Sequence, residues 1–107
     1  MNEISKQNAE TLGLDTMTFQ TMEECGELIK AISKFNRTRG IGQKTEMGIG
    51  NAFNDVLAEI ADVEICIEQL KYLLEQRYDI NVCGIVELKK DQAFTKVAKR
   101  YRGGENQ

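Results

Sequence analysis

Not one of the 107 residues is proline, and this constrains the fold more than any other property of the sequence. Proline ends helices and forces turns. Its absence, combined with long stretches of good helix formers, predicts an all-α chain whose helices are separated by glycine and asparagine. Residues 2 to about 12 are expected to form a short first helix ending near Gly13, with Asp15 or Thr16 capping a second helix to about Asn36. Gly40, Gly42, Gly48 and Gly50 mark a loop over about 38–50. Asn51 or Asn54 then caps a third helix to about Arg77. Tyr78 to Asn81 reads as a turn, and a fourth helix follows to about Tyr101. Gly103 and Gly104 close it, leaving a frayed tail over 103–107. Four such elements predict a four-helix, bundle-like single domain over 1–107, completed by oligomerisation.

Periodicity supports this layout. Met22, Cys25, Leu28, Ile29, Ile32 and Phe35 recur every three or four residues, as do Phe53, Val56, Ile60, Val63, Ile67, Leu70 and Leu74. Each set predicts one apolar stripe along a central helix. With 41% hydrophobic and 29% charged residues, the composition is that of a globular protein. No apolar run reaches the roughly 18 residues of a membrane span. The start, Met1 to Ser5, lacks the basic and apolar regions of a secretory signal, so the expected location is the cytoplasm.

Net charge is −3 and basic residues are scattered, which argues against a polymeric nucleic acid as partner. Only Lys96 to Arg102 is basic. It reads either as a cationic helix end complementing the helix dipole or as a holder of a small phosphate ligand. The three cysteines, Cys25, Cys66 and Cys83, form no C-x-x-C pair and read as small buried hydrophobes. The sequence contains no histidine. That removes the commonest general base, the Ser-His and Cys-His nucleophile systems, and most zinc and iron sites.

Two acid-x-x-acid pairs, Glu24/Glu27 and Glu59/Asp62, lie on the two central helices. A spacing of three places both acids of a pair on one helix face, about 60° apart and one turn along. On a helical wheel Glu24 lies beside Leu28, and Glu59 lies between Val63 and Cys66, at the edges of the apolar stripes. Glu23 belongs to the polar side. Carboxylates beside a core are costly unless their charge is offset, and there is no Lys or Arg between Asp55 and Gln69. A hard divalent cation offsets the charge directly. A donor set made only of carboxylates favours Mg²⁺, or Mn²⁺ in its place, over iron. Solvated surface acids, or pairing with lysines of another chain, are the plainer readings.

The run Glu23-Glu24-Cys25-Gly26-Glu27-Leu28-Ile29-Lys30-Ala31-Ile32 resembles the first motif of the all-α NTP pyrophosphatase superfamily, in particular its small phage-type MazG-like members. Glu59-Ile60-Ala61-Asp62-Val63-Glu64-Ile65 resembles the second. The resemblance implies a four-helix core, usually a homodimer or homotetramer, that splits a nucleoside triphosphate into monophosphate and pyrophosphate. It implies Glu24, Glu27, Glu59 and Asp62 as metal ligands, with Glu23 helping to orient the attacking water. Lys96, Lys99 or Arg100 are candidates to hold the phosphate tail. The interval between Glu27 and Glu59 is longer and richer in glycine than is usual in that family. Within it, Gly40-Ile41-Gly42-Gln43-Lys44-Thr45 has neither the glycine directly before lysine nor the preceding strand of a P-loop. It reads as a linker, or as a lid placing Arg37, Arg39 or Lys44 on phosphate. The alternative functional reading is a non-catalytic helical module that binds a nucleotide or a protein.

Overall fold

The computed structural model describes residues 1–42 and 48–105, with side chains as far as Tyr101. These residues form three α-helices and no strand: α1 (Glu3–Thr38), α2 (Ile49–Tyr78) and α3 (Val82–Glu105). The chain is all-α. No helix among the described residues is long and apolar enough to cross a membrane.

The first two expected helices are one element interrupted at Gly13, whose φ of 81° and ψ of 167° are non-helical. That region of backbone space is essentially reserved for glycine, which is why the break falls there. Asn2 caps the start, its Oδ1 accepting a 2.8 Å bond from the Ser5 amide. At the other end Gly40, with φ 79°, reverses the chain. Its amide donates to Arg37 O and that of Ile41 to Asn36 O, the paired bonds of a Schellman stop. The expected C-terminal stop at Gly103 and Gly104 differs, since α3 continues to Glu105. Two glycines weaken a helix by about 1 kcal/mol each relative to alanine, which here does not end it.

The chain divides into two compact units, Met1–Leu73 and Leu74–Gln107. In the first, α1 and α2 run antiparallel, because early α1 residues meet late α2 residues. Glu10 accepts from Tyr72 and the Phe35 ring meets that of Phe53 at a tilt of 48°, centroids 6.0 Å apart. The seam follows a seven-residue repeat. On α2 it runs Ala52, Glu59, Cys66, Leu73, flanked by Val56, Val63 and Leu70. On α1 it runs Met17, Glu24, Ala31, flanked by Leu14, Thr21, Leu28 and Phe35. All of these are buried or half-buried. Spacing of this kind keeps two helices in continuous contact.

The apolar stripes expected from the sequence are therefore rotated from the true contact face. Leu28, Phe35, Val56, Val63 and Leu70 do face inward, but Met22, Ile29, Ile32, Phe53, Ile60 and Ile67 are exposed. The seam itself contains acids, a threonine and alanines that a purely apolar reading passes over.

Beyond the break, the end of the pair is held by Gln69, which is 3% exposed. Its Nε2 donates to Ser5 O at 3.1 Å and Ser5 Oγ at 3.2 Å, and its Oε1 accepts from Asn8 Nδ2 at 3.4 Å. Gln69→Ala removes all three bonds of a buried side chain and is expected to cost about 1–3 kcal/mol in urea unfolding. A variant as stable as the parent would show that the clamp contributes nothing.

In the second unit Asp79 takes φ 52° to leave α2. Asn81 caps α3, its Oδ1 accepting 3.0 Å from the Gly84 amide. Glu75 accepts from the Cys83 amide at 2.8 Å.

Candidate metal centre

The seven-residue repeat explains why the acids converge. Glu24 and Glu59 occupy corresponding places in the two seams, one repeat beyond Met17 and Cys66, which share the main core cluster. They form a carboxylate layer inside the helix pair. Asp62, one turn after Glu59, reaches the same point from the solvent side. One carboxylate oxygen from each of Glu24, Glu59 and Asp62 lies within 4.8 Å of the others. Glu24 and Glu59 are half-buried and Asp62 is exposed, so the cluster has a floor and an open mouth.

No donor compensates for this charge within the described protein. Glu59 Oε2 is buried without a hydrogen-bond partner. Among the described residues, the ion pairs use Glu27, Glu68 and Glu87, and none uses Glu24, Glu59 or Asp62. Burial raises the Glu59 carboxyl above its ordinary value. The neighbouring charges of Glu24 and Asp62, contact with the Glu24 carboxyl, and the charge of Glu27 raise it further. The Cys66 thiol below is also pushed up, by burial first and then by Glu24, Asp62 and Cys25. It is a protonated, unreactive part of the floor. A buried oxygen without a donor, surrounded by like charge, is the environment a hard cation suits and a lone carboxylate does not.

The structure brings three of the four expected ligands together. Glu27 is not among them. It is exposed and its Oε1 lies 3.5 Å from Lys30 Nζ. Glu23 is exposed and lines an open groove on α1 with Thr16, Phe19, Gln20, Met22 and Glu24. Thr16, Phe19 and Gln20 had no marker in the motifs, although Gln20 stands one turn before both Glu23 and Glu24. Lys96 and Arg100 are exposed on α3, in the second unit.

Arg37 and Arg39 stand at the far end of α1. Thirteen residues of helix, or roughly 20 Å, separate Arg37 from Glu24. Arg39 lies over the Phe35 ring at 5.2 Å. Gln43, Lys44 and Thr45 of the expected lid lie outside the described residues. Comparison with protein-family models, with curated proteins and with solved structures found no match.

Proposed function

We propose that this chain is a Mg²⁺-dependent nucleoside triphosphate pyrophosphohydrolase, acting in the cytoplasm as a homodimer or homotetramer. The reaction is (d)NTP plus water to (d)NMP plus pyrophosphate, by water attack at the α-phosphate. The observation that carries this reading is the Glu59 carboxylate, whose Oε2 is buried without a donor and which has an oxygen within 4.8 Å of oxygens of Glu24 and Asp62. The resemblance of residues 23–32 and 59–65 to the two motifs of the all-α NTP pyrophosphatases supplies the reaction type.

Glu24, Glu59 and Asp62 hold the cation, Mg²⁺ or Mn²⁺ in its place. When bound, it supplies neutralisation of phosphate oxygens and acidification of water. The protein's remaining work falls to its own side chains. Glu27 adds negative potential at Glu59, favouring cation entry. Glu23, exposed beside the groove, orients the attacking water and accepts its proton. The groove of Thr16, Phe19 and Gln20 offers a hydroxyl, an apolar ring face and one amide to the rest of the nucleotide.

The test is release of pyrophosphate from a panel of NTPs and dNTPs with Mg²⁺, with Mn²⁺ and with EDTA. Metal-dependent release with monophosphate as co-product is expected. Folded protein that releases nothing from any member would overturn the proposal and leave a binding module.

A further inference from the structure

The side of α1 that carries Glu23 changes character along its length. With residues placed at 100° intervals, Thr16, Phe19, Gln20, Glu27, Lys30 and Lys34 all lie within about 60° of Glu23. In chain order they run from neutral groups through acids to cations. Phe19, 71% exposed, lines the groove with Thr16, Gln20, Glu23 and Glu24. Glu24 belongs both to that groove and to the carboxylate cluster, so the two adjoin.

The cations lie on one side of the acids only. There is no Lys or Arg from Gln7 to Ile29, and none from Gly48 to Leu70. Among the described residues of the α1/α2 unit, Lys30 is therefore the cation nearest the cluster along either helix. It stands six residues after Glu24, roughly 9 Å of helix rise. Helical side chains lean towards the N-terminus, which carries the Lys30 ammonium back towards the acids. Its Nζ lies 3.5 Å from Glu27 Oε1. Both side chains of that pair are more than half exposed, at 71% and 53%, so the pair exchanges partners at little cost.

A nucleoside triphosphate has its base on one side of the α-phosphate and two further phosphates on the other. With the α-phosphate at the cluster, one of its two directions along α1 sets the β- and γ-phosphates beside Phe19 and Glu23, where no cation stands. The other direction stacks the base on Phe19, gives its edge to the Gln20 amide, and sends the phosphates towards Lys30 and Lys34.

We propose that the nucleotide lies in this second direction, base over Phe19, and that Lys30 pairs with the departing pyrophosphate. The inference rests on the pyrophosphohydrolase reading and gives its substrate an orientation. The water oxygen bonds to the α-phosphorus while its proton passes to Glu23. The bond from that phosphorus to the bridging oxygen breaks, and the electron pair leaves with pyrophosphate, whose new charge meets the Lys30 ammonium. Glu23 precedes Lys30 by seven residues, roughly 10 Å, so water enters and pyrophosphate departs on opposite sides, as an in-line displacement requires.

Product inhibition at fixed free Mg²⁺ tests it. A folded wild type that releases no pyrophosphate overturns the hydrolase reading, and the orientation with it. In an active wild type, Lys30→Gln is expected to raise the inhibition constant of inorganic pyrophosphate at least ~10-fold. The constant of the product monophosphate should stay where it was. Phe19→Ala is expected to do the reverse, raising the monophosphate constant ~5-fold or more. Lys30→Arg, which keeps the charge, should bind pyrophosphate as the wild type does. Loss of the surface pair with Glu27 would by itself move neither constant. If Lys30→Gln leaves the pyrophosphate constant unchanged, or moves both constants together, the orientation is wrong while the hydrolase reading stands.

Discussion

Replacing Glu59 with glutamine is expected to lower metal-dependent pyrophosphate release at least ~100-fold while raising the melting temperature of the metal-free protein. The two effects have one cause. In the unfolded chain this carboxyl titrates near 4.5. In the folded chain, burial and the charges of Glu24 and Asp62 raise it. Between those two values the folded state binds more protons than the unfolded one, so stability falls as pH rises through the folded value.

In EDTA the wild type should therefore lose stability on going from the ordinary carboxylate range towards neutrality. Glu59→Gln, which holds no charge to bury, should lose less. Adding Mg²⁺ should then stabilise the wild type by mass action and leave the variant unmoved. Thermal melts across this pH range, with and without metal, provide the measurement. A variant that melts below the wild type at neutral pH in EDTA would show that the charge on Glu59 is already compensated. Glu24→Gln and Asp62→Asn should also lower turnover. Asp62→Asn should change metal-free stability least, because Asp62 is exposed.

The largest loss of stability is expected from Met17→Ala. Met17 is the largest fully buried side chain, 0% exposed, and packs with Ala9, Cys66 and Leu73, bordered by Leu12, Leu14 and Tyr72. Small neighbours on both helices leave little material to collapse into the cavity. The expected cost is about 3 kcal/mol, or roughly 10–20 °C of melting temperature for a chain of this size. A shift below about 1 kcal/mol, the scale of an ordinary surface substitution, would mean that Met17 is not at the centre of the core. Circular dichroism melts of the two proteins decide it.

How much of this was legible in the sequence depends on the residue. The break at Gly13 could be read from glycine alone, and the turn at 78–81 from its polar residues. The three-residue spacing within each acid pair was enough to place Glu59 and Asp62 together. What the sequence could not supply was the register between α1 and α2. Only that register sets Glu24 opposite Glu59 inside the seam and not at its edge. Glu27 lies 60° further round the helix, enough to reach solvent, where Lys30 is a ready partner. The stripes were misplaced for a related reason. Counting only large apolar residues gives Met22, Ile29 and Ile32 more weight than Thr21, Glu24 and Ala31. It therefore finds the outer face before the seam. Gln69 escaped notice because a polar residue in a buried position has no periodic signature. Its bonds exist only after Ser5 and Asn8 fold back onto it.

The interruption at Gly13 also solves a problem of phase. A straight α-helix drifts by ~20° per heptad against a strict seven-residue repeat, so a helix the length of α1 accumulates roughly 100° of drift unless it supercoils throughout. Counting back from Met17 by sevens leads to Glu10, yet the fully buried residue there is Ala9. The chain skips one place at the glycine, and Glu10 swings to the rim where Tyr72 meets it. Gly13 thus acts as a single correction in the winding, moving the buried position of α1 by one residue in one step.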